Sequence, residues 1–88
     1  MLKLDLTNDA ASFITNLEAK QARQVWNKII ALMKDPRPND SISMGENFYR
    51  THIGEHRIIY SFDKQCLYIA VIGKRNDGEV YRKFKNKK

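Results

Sequence analysis

The two prolines of this chain, Pro36 and Pro38, stand together near its middle and divide it into halves of different character. Proline has no N–H to donate and its ring clashes with the preceding helical turn, so a helix running into them must stop at Asp35. Before them lie two apolar stripes at helical spacing: Ala10, Phe13, Ile14 and Leu17, then Ala22, Val25, Trp26, Ile29, Ile30 and Met33. The stripes are out of phase, because the first would continue through Lys20, Gln21 and Gln24. The chain therefore changes direction around Glu18 to Gln21, and a two-helix hairpin is the preferred reading, one long bent helix the lesser option. Upstream, Leu2, Leu4 and Leu6 alternate with Lys3 and Asp5, the period of a short half-buried strand. Thr7 or Asn8 is placed to cap the first helix, and Asp9 suits its positive end.

After the prolines, residues 35 to 45 read as a loop, and Glu46 to Tyr81 as three consecutive strands and a turn. Gly54-Glu55 lies between two strand-like runs, and glycine at the first central position fits a type II′ hairpin. A two-residue loop pairs Ile53 with His56, His52 with Arg57, Thr51 with Ile58, Arg50 with Ile59 and Tyr49 with Tyr60. Alternation then puts Phe48, Arg50, His52, Arg57 and Ile59 on one face and Tyr49, Thr51, Ile53, His56, Ile58 and Tyr60 on the other, which is the better face for the helices. Asp63-Lys64 separates this hairpin from Cys66 to Ile72, a nearly unbroken apolar run that suits a central strand. The expected fold class is α+β, in the order β-α-α-β-β-β, with the helix hairpin packed on a mainly antiparallel sheet. A chain of 88 residues buries only roughly 60–65% of its unfolded surface, enough for one helical layer on one sheet in a single domain spanning residues 1–88. The basic tail, residues 82–88, is expected to fray at its end.

Charge separates the halves again. The formal net charge is +6, and all of the excess falls at or after Arg50, where the strands and tail carry Arg50, Arg57, Lys64, Lys74, Arg75, Arg82, Lys83, Lys85, Lys87 and Lys88. A polyanionic partner such as nucleic acid is favoured over a merely well-solvated surface only by that asymmetry. The single cysteine, Cys66, excludes an internal disulfide, and with two scattered histidines it makes no zinc set. The longest apolar run, Leu67 to Ile72, is far short of the roughly 18–20 residues of a spanning helix. An intracellular, cytoplasmic protein without metal, cofactor or membrane partner is expected.

On the open face, His52 would sit directly opposite Arg57. Repulsion between two cations favours a neutral imidazole there, which can accept a proton. His56 points to the helices and is expected to be structural, and Trp26 with its aliphatic stripe is expected in the core rather than at a cofactor site.

The residues Phe48-Tyr49-Arg50, Gly54-Glu55-His56-Arg57-Ile58-Ile59-Tyr60 and Ile72-Gly73-Lys74-Arg75-Asn76-Asp77-Gly78-Glu79-Val80-Tyr81 resemble the RelE-like mRNA interferase toxins of the RelE/ParE superfamily, found in type II toxin-antitoxin systems. The order of elements fits as well. The resemblance implies a bacterial toxin, monomeric alone and hetero-oligomeric with a cognate antitoxin, that binds the ribosome and its ribosomal RNA and cleaves mRNA in the decoding site. The implied chemistry is metal-independent: the ribose 2′-OH attacks the neighbouring phosphate, leaving a cyclic phosphate and a free 5′-OH. By position, the resemblance makes His52 the general base, assigns Arg57 and Arg75 to the phosphate and its leaving oxygen, and gives Tyr81 a stacking or orienting role. Arg50 would hold the substrate backbone, with Lys74, Arg82, Lys83 and Lys85 as further RNA-binding residues. The departure is His52, where well-known members carry lysine.

Bland readings stand beside these. Arg50 and Arg57 can be solvated strand residues, Tyr81 a lid on the core, and the tail lysines nonspecific phosphate attraction. Two rival functions also remain: a ParE-like branch that poisons DNA gyrase, and a non-catalytic ribosome- or RNA-binding module. Family members often end in a helix near the active site that the antitoxin displaces. Here only Glu79 to Lys88 can supply it, and Val80 to Phe84 equally fits a strand.

Overall fold

The computed structural model describes residues 1–75 and 78–87. Asn76 and Asp77 of the third motif, Lys88, and the side chains of Glu79, Asn86 and Lys87 lie outside that description. The elements run β1 (Lys3–Leu6), α1 (Asn8–Thr15), α2 (Ala19–Lys34), β2 (Ile42–Gly45), β3 (Phe48–Ile53), β4 (His56–Phe62), β5 (Cys66–Lys74) and α3 (Glu79–Lys87). The five strands form one sheet in the order β1-β5-β4-β3-β2, antiparallel except where β1 lies parallel to β5. The expected α+β architecture is present, with one strand and one helix more than the sequence reading assigned. No helix among the described residues is long and apolar enough to cross a membrane.

Thr7 caps α1 and ties it to the sheet. Its hydroxyl oxygen accepts from the Ala10 N–H at 3.1 Å, and its O–H donates to the Ala70 carbonyl at 2.8 Å. The end of α1 needs neither glycine nor proline. Thr15 Oγ1 and Asn16 Nδ2 donate back to the carbonyls of Ala11 and Ser12, at 2.9 and 3.0 Å, side-chain bonds that compete with the backbone ladder at the helix end. The helix breaks at residues 16–18, slightly earlier than the apolar phase suggested, and α2 then runs to Asp35 as the prolines require.

The segment read as a loop at 35–45 contains strand β2 at its end. Its turn into β3 is Glu46-Asn47, with φ of 54° and 67°, the paired left-handed conformation of a type I′ hairpin. Between Gly54 and Glu55 only the glycine has positive φ, as a type II′ turn needs, and every predicted β3–β4 pair is present, including His52 with Arg57. Asp63 shapes the next turn: its exposed carboxylate accepts from the N–H groups of Gln65 and Cys66, both at 2.8 Å, and these bonds hold it below the usual carboxylate range.

Helices α1 and α2 pack Ala10, Ile14, Val25, Ile29 and Leu32 against Ile58, Tyr60, Leu67, Ile69 and Ile72. A second layer, built by the terminal segment that the sequence left open between helix and strand, covers the other face. There Val80 of α3 joins Ile59, Ala70 and Val71, and Phe84 meets Phe48 edge-on at 4.9 Å. The register shift between Ile59 and Tyr60, which leaves Ala70 unpaired, turns both Ala70 and Val71 to this second face. Full burial of a side chain such as Val80 contributes roughly 1.5–3 kcal/mol, enough to hold a short polar helix in place. Trp26 and Ile30 depart from their expected burial, remaining 37% and 42% exposed, because the sheet covers only the Val25, Ile29 and Leu32 side of α2.

Candidate functional site

The face of β3 and β4 away from α1 and α2 carries the arginines. Arg50 and Arg57 project from neighbouring strands, offset along the sheet, and α3 brings Tyr81 between them. The Tyr81 hydroxyl oxygen accepts from Arg57 Nη1 at 2.8 Å and from Arg50 Nη1 in a shorter contact. Both guanidinium carbons also lie near the Tyr81 ring, 5.3 Å from its centroid for Arg57 and 6.0 Å for Arg50. Two cationic donors therefore converge on one oxygen at a half-buried point, the arrangement suited to holding an anionic oxygen.

Gly73 makes this convergence possible. It is paired with Arg57, and a Cβ built on it would lie 3.3 Å from the Val80 Cβ and 3.4 Å from the Val80 nitrogen. A side chain here would press on α3, so glycine lets the helix settle closely over β5, one residue before Tyr81. This contribution of Gly73 was not assigned from sequence, although a glycine inside an apolar strand is itself a sign of close approach.

His52 is half-buried, opposite Arg57 and on the Arg50 side of the alternation. Arg75 is exposed just beyond β5, where its backbone N–H donates to the Glu55 carbonyl at 2.8 Å and ties it to the β3–β4 turn. Thus Arg50, Arg57 and Tyr81 are in contact, His52 is their neighbour in register, and Arg75 stands at the same end of the sheet as His52 and Arg57.

Other residues assigned to RNA lie elsewhere. Lys74 pairs with His56, on the opposite alternation from Arg57, and lines a groove of about 650 Å³ with His56, Phe13 and Asp9. Lys83 reaches α1, with its Nζ 4.9 Å from the Phe13 ring centroid and 3.9 Å from an Asp9 carboxylate oxygen. Arg82 and Lys85 are exposed on α3. His56 is only 4% exposed and meets Phe13 edge-on at 5.7 Å, in keeping with its structural reading.

The fold is similar to that of several solved toxin structures. A mutant of the Escherichia coli toxin RelE in the free state has a TM-score of 0.80 at 19% identity, over 98% of this chain and 96% of that one. The intact E. coli RelBE toxin-antitoxin complex matches at 0.74 and 18%, over 86% of this chain and 99% of that chain. The RelE-RelB complex of the archaeon Pyrococcus horikoshii matches at 0.73 and 16%, over 86% and 97%. These likenesses are likenesses of fold. No curated protein matches by sequence. The family described as the ParE toxin of the type II toxin-antitoxin system parDE matches residues 5–78, nearly everything ahead of α3, so this chain belongs to that family and is a toxin of the RelE/ParE superfamily.

Proposed function

We propose that this toxin is a ribosome-dependent endoribonuclease, neutralised by a cognate antitoxin, that cuts mRNA by internal transesterification. The observation that carries the reading is the convergence of Arg50 and Arg57 on the Tyr81 hydroxyl, beside His52. A phosphate oxygen in the place of that hydroxyl oxygen would meet both guanidinium groups. His52 takes the proton from the 2′-OH as its oxygen attacks phosphorus. Arg57 and Arg50 stabilise the charge that gathers on the phosphorane oxygens, and the bond to the 5′ oxygen breaks, leaving a 2′,3′-cyclic phosphate. Arg75 stabilises the departing oxygen, which takes a proton from water and leaves as a 5′-OH. The Tyr81 ring, released from the arginines, stacks on a base.

The test is to map mRNA 5′ ends after brief induction without antitoxin. New 5′ ends are expected within translated regions, and they should disappear with Arg57→Ala. Intact messages during growth arrest would overturn the reading.

The match to the ParE family favours a second reading, inhibition of DNA gyrase. That function has no need of the converged arginines. A supercoiling assay separates the two: loss of gyrase activity with no mRNA cleavage would establish the second reading. Binding to ribosomes with neither effect would leave a non-catalytic RNA-binding module.

A further inference from the structure

The groove that Lys74 lines has no part in the proposed reaction. It holds about 650 Å³, within the range of small-ligand sites, and lies between α1 and the strand ends at His56 and Lys74. Asp9, Ser12, Phe13 and Asn16 enter it from one face of α1 and its cap, at intervals of three, one and three. His56 lines it as well and is 4% exposed. The edge-on contact with Phe13 accounts for its ring, but neither ring nitrogen has a hydrogen-bond partner among the described residues. Buried polar groups are almost always paired, so the groove must supply the partner. Asp9 carries the same sign. Its Oδ2 is buried without a hydrogen-bond partner among the described residues, and Lys83 Nζ stands 3.9 Å away.

The groove offers three kinds of contact. Lys74 is exposed and has no acidic partner among the described residues. Asp9 and Glu55 present acceptors only, and so does the Asn16 Oδ1, since the Nδ2 of that side chain is spent on the Ser12 carbonyl. Phe13 and Leu17 add an apolar wall. A ligand that uses all three has an anionic group, a flat apolar body and N–H donors on its edge, which describes a nucleotide whose base carries an exocyclic amino group. Uracil, with a carbonyl on each side of its one N–H, would oppose acceptor to acceptor. An acidic peptide would set its carboxylates against Asp9 and Glu55, and a bare phosphate would use Lys74 alone. Position points the same way. His56 and Lys74 pair one step beyond Arg57 and Gly73 in the ladder, and Arg75 follows, so an RNA strand held at Arg57 reaches Lys74 by passing over the end of the sheet. We propose that this groove seats the base of the nucleotide next to the one held by Arg50 and Arg57, with its phosphate at Lys74, and selects adenine, cytosine or guanine over uracil. The proposal rests on the RNA reading and adds a specificity-determining site to it.

The chain has two histidines, and they separate the two sites, His52 beside the arginines and His56 in the groove. Proton NMR of the imidazole C–H signals, assigned through His52→Gln, reads both at once. The probes are 2′-O-methyl trinucleotides of adenine and of uracil, which have no 2′-OH to attack, with adenosine monophosphate beside them. The adenine trinucleotide should move both histidines, and the uracil trinucleotide should move His52 and leave His56 in place. Asn16→Ala should bring the His56 response to adenine down to the response to uracil. Lys74→Ala should weaken binding of the adenine trinucleotide by about tenfold, the loss of one charge-assisted contact. Both variants should melt at the wild-type temperature. A His56 signal unmoved by either trinucleotide, equal His56 shifts from adenine and uracil, or wild-type behaviour in both variants would overturn the proposal. So would a full His56 shift from adenosine monophosphate at the trinucleotide's concentration, which would mark a site for free nucleotides instead. Cleavage mapped in cells keeps the two readings apart. Cut mRNA with an unmoved His56 overturns the groove alone, and an adenine-specific His56 shift without cut mRNA overturns the reaction alone.

Discussion

Tyr81 accepts a hydrogen bond from Arg57 at 2.8 Å across 24 residues of sequence, and the same oxygen serves Arg50. In the free toxin the hydroxyl thus holds ready, until the phosphate takes its place, two side chains that the proposed reaction needs pointed at one spot. Tyr81→Phe keeps the ring and removes that control. Misplaced by about an ångström, catalytic groups lose on the order of 10²-fold in rate, so mRNA cleavage should fall by about that factor. Arg57→Ala should cost about 10²–10³-fold, as removal of a charge-stabilising donor does. The double variant should be little worse than Arg57→Ala alone, because both changes disable one unit. Cleavage on translating ribosomes measures all three, and additive losses would show that the hydroxyl acts independently of Arg57.

His52 faces Arg57 in the ladder, so the proposed base shares its strand pair with a group proposed to stabilise the phosphate. A base of this kind acts on the 2′-OH proton itself, so in His52→Gln the cleavage rate should drop by about 10²–10⁴-fold. Cleavage by His52→Gln at the wild-type rate would remove His52 from this role.

Much of the fold was legible because single residues forced it. Pro36 stops α2, Gly54 sets a two-residue turn and with it the β3–β4 register, and the apolar run after Cys66 becomes the interior strand β5. What was missed or left open rests on weaker signals. In β2, Ile42 and Met44 are too few to mark a strand, and its turn takes left-handed conformations at Glu46 and Asn47 with no glycine between them. In α3, Val80, Tyr81 and Phe84 satisfy a helical or an extended period, and burial of Val80 and Phe84 on the second face of the sheet decides between them. The members of the site could be named from sequence. Their meeting at one hydroxyl could not, since Arg50 and Tyr81 are 31 residues apart and meet only once α3 has folded back. Trp26 was misread because amphipathic spacing reveals an apolar face but not how much of it the sheet covers.

Gly73→Ala tests the seat of α3. The added methyl would lie 3.3 Å from the Val80 Cβ in a fully buried contact, closer than packed carbons comfortably approach. Overpacking of this kind costs about 1–3 kcal/mol, which urea denaturation would measure. Displacement of α3 should also withdraw Tyr81 from Arg50 and Arg57 and lower cleavage further than the loss of stability explains. Gly78→Ala is the contrast, because no atom lies within 4 Å of its added methyl and any cost comes from its φ of +71° alone.

Stability should decline in alkali through Tyr60. Its hydroxyl donates to the Pro36 carbonyl at 2.7 Å, pinning the loop after α2 to the sheet, and burial pushes its phenol up to about 12 from the ordinary 10.0. The folded state therefore keeps a proton that the unfolded chain releases between those values. This stabilisation is complete below pH 10 and is lost as the pH rises from 10 toward 12, by about 2 kcal/mol. In Tyr60→Phe the neutral-pH stability should fall by about 1 kcal/mol for the missing hydrogen bond, and the decline above pH 10 should become shallower. Urea unfolding of both proteins from pH 7 to the alkaline limit, followed by Trp26 fluorescence, would measure the two effects together. Parallel curves for the wild type and Tyr60→Phe would mean that the alkaline loss arises from another group.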